Sequence, residues 1–369
     1  MKSVLIAVDK FKGSISALET TQAIASTIRR LRPDWKISTA PIADGGDGTL
    51  AIVLDHGYRA ETVLVSDALL HAKNSNYAVS KDEKKIFIEM ATICGIAQLS
   101  ELNGFAASSF GLGQAAKAAL NHNPDEIVIS LGGSASTDGG LGFLIALGAI
   151  ALDSNGNGVT PNLAGIDTIK SLDVTAIDSR VQQSSWRFLT DVDNPLVGIN
   201  GAAQIFGLQK GIKVQDLARA DALLTRWADL LEQETGINPR NTPGSGAAGG
   251  VAAAGLSVLK AKIESGFDWI ANVTKLQSLI ESTDVVITGE GSFDQQSLMG
   301  KGPGEIIKLA QAANKQICVI AGKIDADILG QIPCVALVDL APSAEESIQN
   351  PQVWLTVATE KLLREIDSD

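Results

Sequence analysis

The feature of this chain that most constrains its fold is a repeated alternation of short apolar runs and amphipathic segments. Residues 4–8 (VLIAV) form a β-branched run, and residues 16–30 carry apolar side chains at helical spacing. The pattern predicts further strands at residues 127–131, 285–288, 317–321 and 335–340, and further helices at residues 140–152, 304–313 and 353–366. Alternating strands and helices favour an α/β architecture with mainly parallel sheets.

The first predicted helix has clear signals at both ends. Ser16 and Glu19 form an S-x-x-E capping box, and Pro33 marks the stop. The chain therefore opens in the order strand, loop, helix.

Residues 61–91 break this alternation. The segments ETVLVS (61–66), NYAVS (76–80) and KKIFIEMA (84–91) are strand-like, and no helical segment separates them. The pattern predicts an antiparallel hairpin, and we place a domain boundary near residue 62.

Composition and charge narrow the class of protein. The 369 residues are 45% hydrophobic and 20% charged, which is typical of a folded globular protein. With 30 Lys plus Arg against 42 Asp plus Glu, the net charge of -12 disfavours nucleic acid as a partner. A small acidic or sugar-like ligand stays compatible, because a local basic pocket can override the global field.

The cysteines and the apolar runs indicate the compartment. Cys94, Cys318 and Cys334 are odd in number, lie in apolar runs and lack metal-ligand spacing, so we expect reduced thiols and no structural zinc. We find neither a cleavage-site pattern at residues 1–8 nor a run of 18 apolar residues. We therefore expect a cytoplasmic protein without a membrane partner, either monomeric or homo-oligomeric.

Acids, glycines and lysines recur in the loops that follow predicted strands. In parallel α/β sheets, ligands bind at the carboxyl ends of the strands, so these loops are where a site is expected. They contain Asp9, Lys12, Asp44, Gly45, Gly46, Gly132, Gly133, Ser134, Asp138, Asp191, Asp193, Glu290, Asp294 and Lys301. Turn formation and helix capping would explain any one of these loops, but their recurrence favours a functional site.

The acids in these loops point to phosphoryl transfer. Residues 191–195 (DVDNP) place two carboxylates and an amide within four residues, and the proline stiffens the exit. Carboxylates bind Mg²⁺ together with phosphate oxygens, and a carboxylate can also accept the proton of an attacking hydroxyl group. Lysines and backbone N–H groups would hold the phosphates.

The glycine-rich stretch at residues 129–142 (ISLGGSASTDGGLG) predicts an anion-binding loop. Glycine lets the backbone approach a ligand closely, and N–H groups at a following helix start attract negative charge. Either a substrate carboxylate or a nucleotide phosphate would suit this loop.

Other motifs carry less weight. His56, His71 and His122 have no acid or serine cluster beside them in the sequence, and the esterase, zincin and P-loop motifs are absent. Residues 244–249 match G-x-G-x-x-G, but they follow a turn-like segment rather than a strand, which disfavours a dinucleotide site. An Ala-rich helix is predicted at residues 247–262, and Gly244 and Gly246 at its start are candidates for phosphate binding.

Six blocks of sequence together resemble the bacterial glycerate kinase family of the type I (glycerate 2-kinase) kind. They are AVDKFKGSISA, PIADGGDGT, LGGSASTDGGLGFLIALGA, DVDNPLVGINGAAQIFGLQKG, PGSGAAGGVAAAG and VITGEGSFDQQSLMGKGP, spread from residue 7 to residue 303. The resemblance implies ATP- and Mg²⁺-dependent phosphorylation of D-glycerate, usually at the 2-hydroxyl group, in glyoxylate or glycerate metabolism.

The resemblance also implies a domain organisation. It implies two α/β domains, the second inserted into the first, with the active site in the cleft between them. The first, Rossmann- or flavodoxin-like domain would comprise residues 1–62 and 282–369, and the inserted domain residues 63–281.

Roles for the candidate residues follow as hypotheses. Asp191, Asp193 and Lys301 are the catalytic candidates, and Asp193 and Glu290 the candidate metal ligands. Substrate contacts are assigned to Asp9, Lys12, Asp44, Gly45, Gly46 and Asp294. Nucleotide or phosphate contacts are assigned to Gly132, Gly133, Ser134, Asp138, Gly244, Gly246 and Glu290.

Two alternative functions stay open from the sequence. One is a nicotinamide-linked oxidoreductase of a small hydroxy acid, which rests on the Gly244 loop. The other is a non-catalytic binding protein for a sugar acid, which would bind its ligand without releasing ADP.

Overall fold

The computed structural model describes residues 2–298, 302–325 and 328–366. The strands are β1 Ser3–Val8, β2 Lys36–Thr39, β3 Arg59–Ser66, β4 Ala72–Val79, β5 Lys85–Glu89, β6 Glu126–Ser130, β7 Ile150–Leu152, β8 Ser171–Asp173, β9 Ser185–Leu189, β10 Lys262–Glu264, β11 Val285–Gly289, β12 Ser292–Phe293, β13 Gln316–Ala321, β14 Lys323–Ile324 and β15 Cys334–Ala336. The α-helices are α1 Ala17–Leu31, α2 Thr49–Asp55, α3 Met90–Cys94, α4 Phe110–Ala119, α5 Leu141–Leu147, α6 Leu163–Thr168, α7 Ala202–Phe206, α8 Leu217–Thr235, α9 Ala247–Ala254, α10 Gly266–Val273, α11 Leu276–Glu281, α12 Gln295–Leu298, α13 Gly302–Ala312, α14 Ala344–Gln349 and α15 Pro351–Ile366.

The chain divides into two compact units. Unit 1 comprises Met1–Asp44 and Phe267–Asp369, and unit 2 comprises Gly45–Gly266. The domain bounds predicted from the sequence, residues 1–62 with 282–369 and residues 63–281, stay a prediction.

Unit 1 is built on a sheet in which the described strands run in the order β15, β13, β11, β1, β2, with every pairing parallel. Alternate residues of β1 enter two different hydrophobic cores. Val4 and Ile6 pack with side chains of α1 and α15 on one face, and Leu5 packs with side chains of α11 and α13 on the other. Because both faces are covered, the central strands are apolar throughout, as expected of parallel sheets.

Helix α1 begins as predicted. The Ser16 Oγ accepts a hydrogen bond from the Glu19 N–H at 3.2 Å, and the Glu19 carboxylate accepts one from the Ser16 N–H at 3.2 Å. The capping box is therefore confirmed, and the helix ends at Leu31, shortly before Pro33.

Unit 2 is built on a mixed sheet in which the described strands run in the order β10, β9, β6, β5, β4, β3. Strands β10, β9, β6 and β5 pair in parallel, whereas β4 pairs in antiparallel fashion with both β3 and β5. The predicted hairpin is thus confirmed. The last residues of three neighbouring strands, Glu89, Ser130 and Leu189, are in register, so the loops that follow them lie at one edge of the sheet.

Three predicted elements were wrong in extent. Helix α5 ends at Leu147 because Gly148 adopts a φ of 119°, and strand β7 follows. The predicted helix at residues 247–262 is interrupted by positive φ at Ala248, Gly249 and Gly250, and the chain then passes through a π-helix at Gly255–Leu259 before entering β10. The predicted strand at residues 335–340 ends at Ala336 in β15 and continues as a 3₁₀ turn. In the described residues, no helix combines the length and apolar character needed to cross a membrane.

Candidate functional site

Three acids of unit 1 follow strands at the same edge of its sheet. Strands β1 and β11 are parallel neighbours, and the Asp9 N–H donates to the Gly289 carbonyl oxygen at 2.9 Å. Glu290 comes directly after Gly289, and Asp44 follows β2 after a short stretch that begins with buried Ala40. We refer to Asp9, Asp44 and Glu290 as the acid group of unit 1.

The acid group carries an excess of negative charge. Burial raises the pKa of the Asp9 carboxyl group to about 7, and the charges of Asp44 and Glu290 contribute to this rise, whereas Lys10 opposes it. The Lys10 N–H donates to the Asp9 carboxylate at 2.6 Å, and the Lys10 ammonium lies 3.7 Å from Asp44 Oδ1. A site with these properties favours the binding of a cation.

The described part of helix α13 begins close to the acid group. A Cβ atom added to Gly302, the first residue of this helix, would lie 3.9 Å from Asp9 Oδ2. The partial positive charge of a helix N-terminus stabilises a nearby carboxylate or phosphate. The first described residue of α13 thus lies close to the Asp9 carboxylate.

The other predicted residues of unit 1 take different positions. Asp294 Oδ1 accepts from the Ser297 N–H at 3.2 Å, so this carboxylate caps the start of α12. Lys12 is exposed, and its backbone packs against Gly291, where an added Cβ would lie 3.0 Å from the Lys12 nitrogen. Lys301, predicted to be catalytic, lies outside the described residues.

In unit 2, the predicted glycines bring two loops into close contact. The Gly132 N–H donates to the Gly45 carbonyl oxygen at 3.2 Å, and a Cβ atom at Gly132 would lie 2.5 Å from the Gly46 Cα. Gly45 has a φ of 76°, and a Cβ there would lie 3.1 Å from the Gly266 Cα. Only glycine allows these backbones to approach so closely.

A buried glutamate that the sequence analysis missed fixes one of these loops. Glu89, the last residue of β5, is fully buried and accepts hydrogen bonds from the Leu50 N–H at 2.6 Å and the Gly48 N–H at 3.4 Å. It thereby holds the start of α2 and the loop before it. The signal available in the sequence was an acid at the end of an otherwise apolar strand.

The acids of the 191–195 segment differ in their surroundings. Asp191 Oδ1 accepts from the Gly266 N–H at 2.9 Å, so this carboxylate is tied to the backbone. Asp193 is exposed, as Asp191 is, and its carboxylate makes no hydrogen bond to any described residue. Asn194 donates through its amide to the Asn200 carbonyl oxygen at 2.9 Å, which orders the loop around Asp193.

Asp138 is a buried residue that orders the glycine-rich stretch at residues 129–142, which we call the glycine loop. Its fully buried carboxylate accepts hydrogen bonds from the Ser109 N–H and hydroxyl, both at 2.8 Å, and from the N–H groups of Gly140 and Gly142 at 3.1 and 3.2 Å. Burial raises the pKa of Asp138, and these donors oppose the rise. The indole N–H of Trp227 donates to the Gly139 carbonyl oxygen at 2.8 Å and holds the same loop from another side.

The glycines at residues 244–250 are required for packing inside unit 2. A Cβ atom at Gly246 would lie 2.3 Å from the Pro195 carbonyl oxygen, and one at Gly249 would lie 2.2 Å from the Ser136 carbonyl oxygen. Gly244 is buried and lies close to Ile263. The phosphate contacts assigned to Gly244 and Gly246 stay a prediction.

One histidine has acidic neighbours in the fold that are distant in the sequence. His122 Nε2 lies 3.0 Å from Glu61 Oε2, and its Nδ1 lies 3.5 Å from Glu83 Oε2. Glu61 lies on β3 and Glu83 in the turn between β4 and β5, and the pairing of these three strands brings both acids to His122.

Within residues 2–298, 302–325 and 328–366, no three His, Cys, Asp or Glu side chains are arranged to hold a metal ion by themselves. Mg²⁺ in enzymes that bind nucleotides is often held by one or two carboxylates together with phosphate oxygens and water. The oxygen donors and the excess negative charge of the acid group therefore fit such an ion.

The fold and its loops together indicate a class of protein. Two α/β units with acids and glycines at the carboxyl edges of parallel strands form an arrangement typical of enzymes that bind small polar ligands. A model of the glycerate kinase family matches residues 4–367, and the chain belongs to this family.

Individual relatives agree with the family match. The chain is 35% identical to the glycerate 2-kinase of Escherichia coli (strain K12) over 328 residues, which cover 88% of this chain and 86% of that protein. It is 34% identical to the glycerate kinase of Bacillus subtilis (strain 168) over 347 residues, 92% and 91% of the two chains. A crystal structure of a candidate glycerate kinase 2 from Salmonella typhimurium LT2 superposes with a TM-score of 0.82 at 31% identity and covers 99% of both chains. The protein is therefore a kinase, a transferase with a small-molecule substrate, and these relatives support phosphorylation of glycerate.

Proposed function

We propose that this protein transfers the γ-phosphoryl group of ATP, bound with Mg²⁺, to the 2-hydroxyl group of D-glycerate. The structural observation that carries the proposal is the acid group of unit 1, whose excess negative charge favours a cation at the carboxyl edge of a parallel sheet. The name of the Escherichia coli relative, glycerate 2-kinase, supports the 2-position.

Glu290 is the residue of unit 1 that we propose as a ligand of Mg²⁺. It follows β11 directly and belongs to the acid group. When bound, the ion would neutralise charge on the phosphate oxygens. Asp44, together with Asp9 in its ionised form, would add negative charge that attracts it.

Asp193 is the residue that we propose as the general base. The Asp191 carboxylate is tied to the Gly266 N–H, whereas the exposed Asp193 carboxylate makes no hydrogen bond within the described part of the chain. In the reaction, the substrate oxygen forms a bond to the γ-phosphorus, the bond from that phosphorus to the β,γ-bridging oxygen breaks, and the hydroxyl proton passes to Asp193. Asp193 as a second metal ligand is the alternative role.

Backbone donors of unit 2 would hold negative charge on a ligand. Gly133 is exposed, has a φ of 72°, and its N–H makes no hydrogen bond within the described residues. Glycine at this position leaves the N–H accessible at short range. We assign this loop to a phosphate or carboxylate group, and Lys12 to a further contact with the same kind of charge.

The proposal is tested by ADP release from the purified protein with ATP, Mg²⁺ and a panel of acceptors. We expect D-glycerate to support turnover far better than L-glycerate, lactate or sugars, and phosphorus NMR of the product to identify 2-phosphoglycerate. Production of 3-phosphoglycerate would contradict the proposed position. Tight binding of glycerate without ADP release would favour a binding protein, and reduction of NAD⁺ by glycerate without ATP would favour an oxidoreductase.

Asp193→Asn tests the proposed base. We expect kcat to fall by about a hundredfold to ten-thousandfold with an unchanged melting temperature, because the amide cannot accept the proton. Asp216→Asn, an acid in the same unit, is the matched control and should leave kcat unchanged. A normal kcat for Asp193→Asn would remove this residue from the mechanism, and an altered Mg²⁺ requirement would assign it to the metal instead.

A further inference from the structure

Unit 2 contains a buried lysine that none of the proposed steps uses. Lys210 ends a 3₁₀ turn at Leu208–Lys210, and only 5% of its surface is exposed. Its ammonium group donates hydrogen bonds to Ser134 Oγ and to the Ser136 carbonyl oxygen, both at 2.8 Å. Burying a charged side chain is costly, so a lysine in this position indicates a specific role.

Both contacts of Lys210 fall on the buried part of the glycine loop. Residues 134–138 of this loop are buried, whereas Gly133 before them is exposed. The Ala135 N–H, between the two contacts, donates to the Cys94 carbonyl oxygen at 2.9 Å, and the Gly133 carbonyl oxygen accepts from the Ile96 N–H at 2.9 Å. Lys210 thus binds the buried residues 134–138, which we call the anchor of the loop. The anchor supports the exposed tip of the loop at Gly133.

In the described part of the chain, the hydroxyl groups of the anchor make no hydrogen bonds that could substitute for those of Lys210. The Ser136 Oγ and Thr137 Oγ1 atoms are buried and have no hydrogen-bond partner within the described residues. The Ser134 hydroxyl pairs with Lys210. Loss of the ammonium would therefore remove the side-chain tie to Ser134 and leave the Ser136 carbonyl oxygen without this donor.

Asp138 is the acid whose charge acts on Lys210. Burial lowers the pKa of Lys210 to about 8, and the negative charge of Asp138 on the same loop opposes this shift. The stretch at residues 102–104, which packs on the Lys210 carbonyl oxygen through Gly104, and helix α7 before the turn both lack ionisable side chains.

We infer that Lys210 is a positioning residue, whose ammonium group fixes the anchor of the glycine loop so that the exposed tip at Gly133 presents its N–H to an anionic ligand. The inference rests on the proposed role of this loop in holding a phosphate or carboxylate group. It assigns to Lys210 an effect on ligand affinity that is separate from proton transfer at Asp193.

If the Lys210 ammonium positions the loop, the affinity of the loop for its ligand should depend on pH. Lys210 is protonated below about pH 8 and becomes neutral above it. The KM of the ligand held by the loop should therefore be low below this pH and should rise on the alkaline side. Lys210→Arg keeps the positive charge at every accessible pH and should remove this rise, because the guanidinium does not titrate in proteins.

The experiment compares the wild type, Lys210→Arg, Lys210→Met and the control Lys213→Met, an exposed lysine three positions away. Melting temperature, kcat and the KM of ATP and of D-glycerate are measured from about pH 6.5 to about pH 9.5, and binding of ATP, glycerate and inorganic phosphate is measured by calorimetry. We expect Lys210→Met to raise one KM about tenfold or more with a smaller change in kcat, and Lys213→Met to match the wild type.

Each outcome decides the question. A wild-type KM that is flat across this range, or an alkaline rise that persists in Lys210→Arg, overturns the inference even if Lys210→Met fails to fold. If Lys210→Met lowers both the activity and the melting temperature while KM is unchanged, Lys210 contributes to stability alone. If the wild type does not phosphorylate glycerate but binds phosphate with an alkaline weakening that Lys210→Arg removes, the proposed function fails and this inference stands.

Discussion

The two units use the carboxyl edges of their sheets in different ways. In unit 1, the loops after β1, β2 and β11 bring carboxylates together, and the negative charge of Asp44 and Glu290 helps to raise the pKa of Asp9. In unit 2, the loops meet through glycines such as Gly132 and Gly45, and the buried acids Glu89 and Asp138 hold backbone N–H groups.

The two units therefore suggest two different ways of binding charged ligands in a kinase. Grouped carboxylates attract a cation, and their effect depends on side-chain charge. A tightly packed glycine loop presents backbone donors, and its effect depends on geometry. Substitutions in unit 1 should therefore change the requirement for Mg²⁺, whereas substitutions in unit 2 should change stability and ligand affinity.

Glu290→Gln tests the first half of this comparison and should have the largest effect. We expect kcat to fall by about a hundredfold to a thousandfold and the Mg²⁺ concentration for half-maximal activity to rise, since the amide is a weaker ligand than the carboxylate. Glu305→Gln in α13 is the matched control. An unchanged Mg²⁺ titration would show that Glu290 does not bind the metal.

Gly132→Ala tests the second half. A Cβ atom would lie 2.5 Å from the Gly46 Cα, so the two loops must separate, and we expect unfolding to become easier by about 1 to 3 kcal/mol together with a higher KM. Gly158→Ala serves as the control because an added Cβ meets no atom within 4 Å. Calorimetric melting that is equal for both variants would contradict the close packing.

Glu89→Gln should have the smallest effect of the three. The amide oxygen can still accept from the Leu50 N–H, but it does so without negative charge, and we expect a loss of about 1 kcal/mol in the free energy of unfolding. The exposed Glu101 gives the control variant Glu101→Gln. Urea titration measures both, and a Glu89 variant as stable as the wild type would mean that its charge is dispensable.

Local signals in the sequence were sufficient for much of the fold. The capping box at Ser16, the alternation of strands and helices, and the hairpin of β3 and β4 depend on residues close in the sequence, and all three are confirmed. The extent of α9 could not be predicted in this way. Its interruption follows from the contact between Gly249 and the Ser136 backbone, more than a hundred residues away in the chain.

The candidate site was likewise predictable only where it depends on residues close in the sequence. The sequence indicated which loops carry acids and glycines, because turn residues and carboxylates are recognisable from composition alone. It did not indicate that Glu89 holds the start of α2 or that Lys210 reaches Ser134 and Ser136, since both contacts join distant segments. It also left open whether Asp191 or Asp193 is the base, and the hydrogen bond from Gly266 to Asp191 is the structural difference between them.

The hydrogen bond from Trp227 to the Gly139 carbonyl oxygen has a practical consequence. The indole is fully buried, and an added Cβ at Gly139 would lie 2.3 Å from its ring, so a displacement of this backbone must alter the surroundings of the fluorophore. Indole emission responds to polarity and to hydrogen bonding. If the loop binds its ligand as proposed, the emission of Trp227, one of five tryptophans in the chain, would report that binding without an added label.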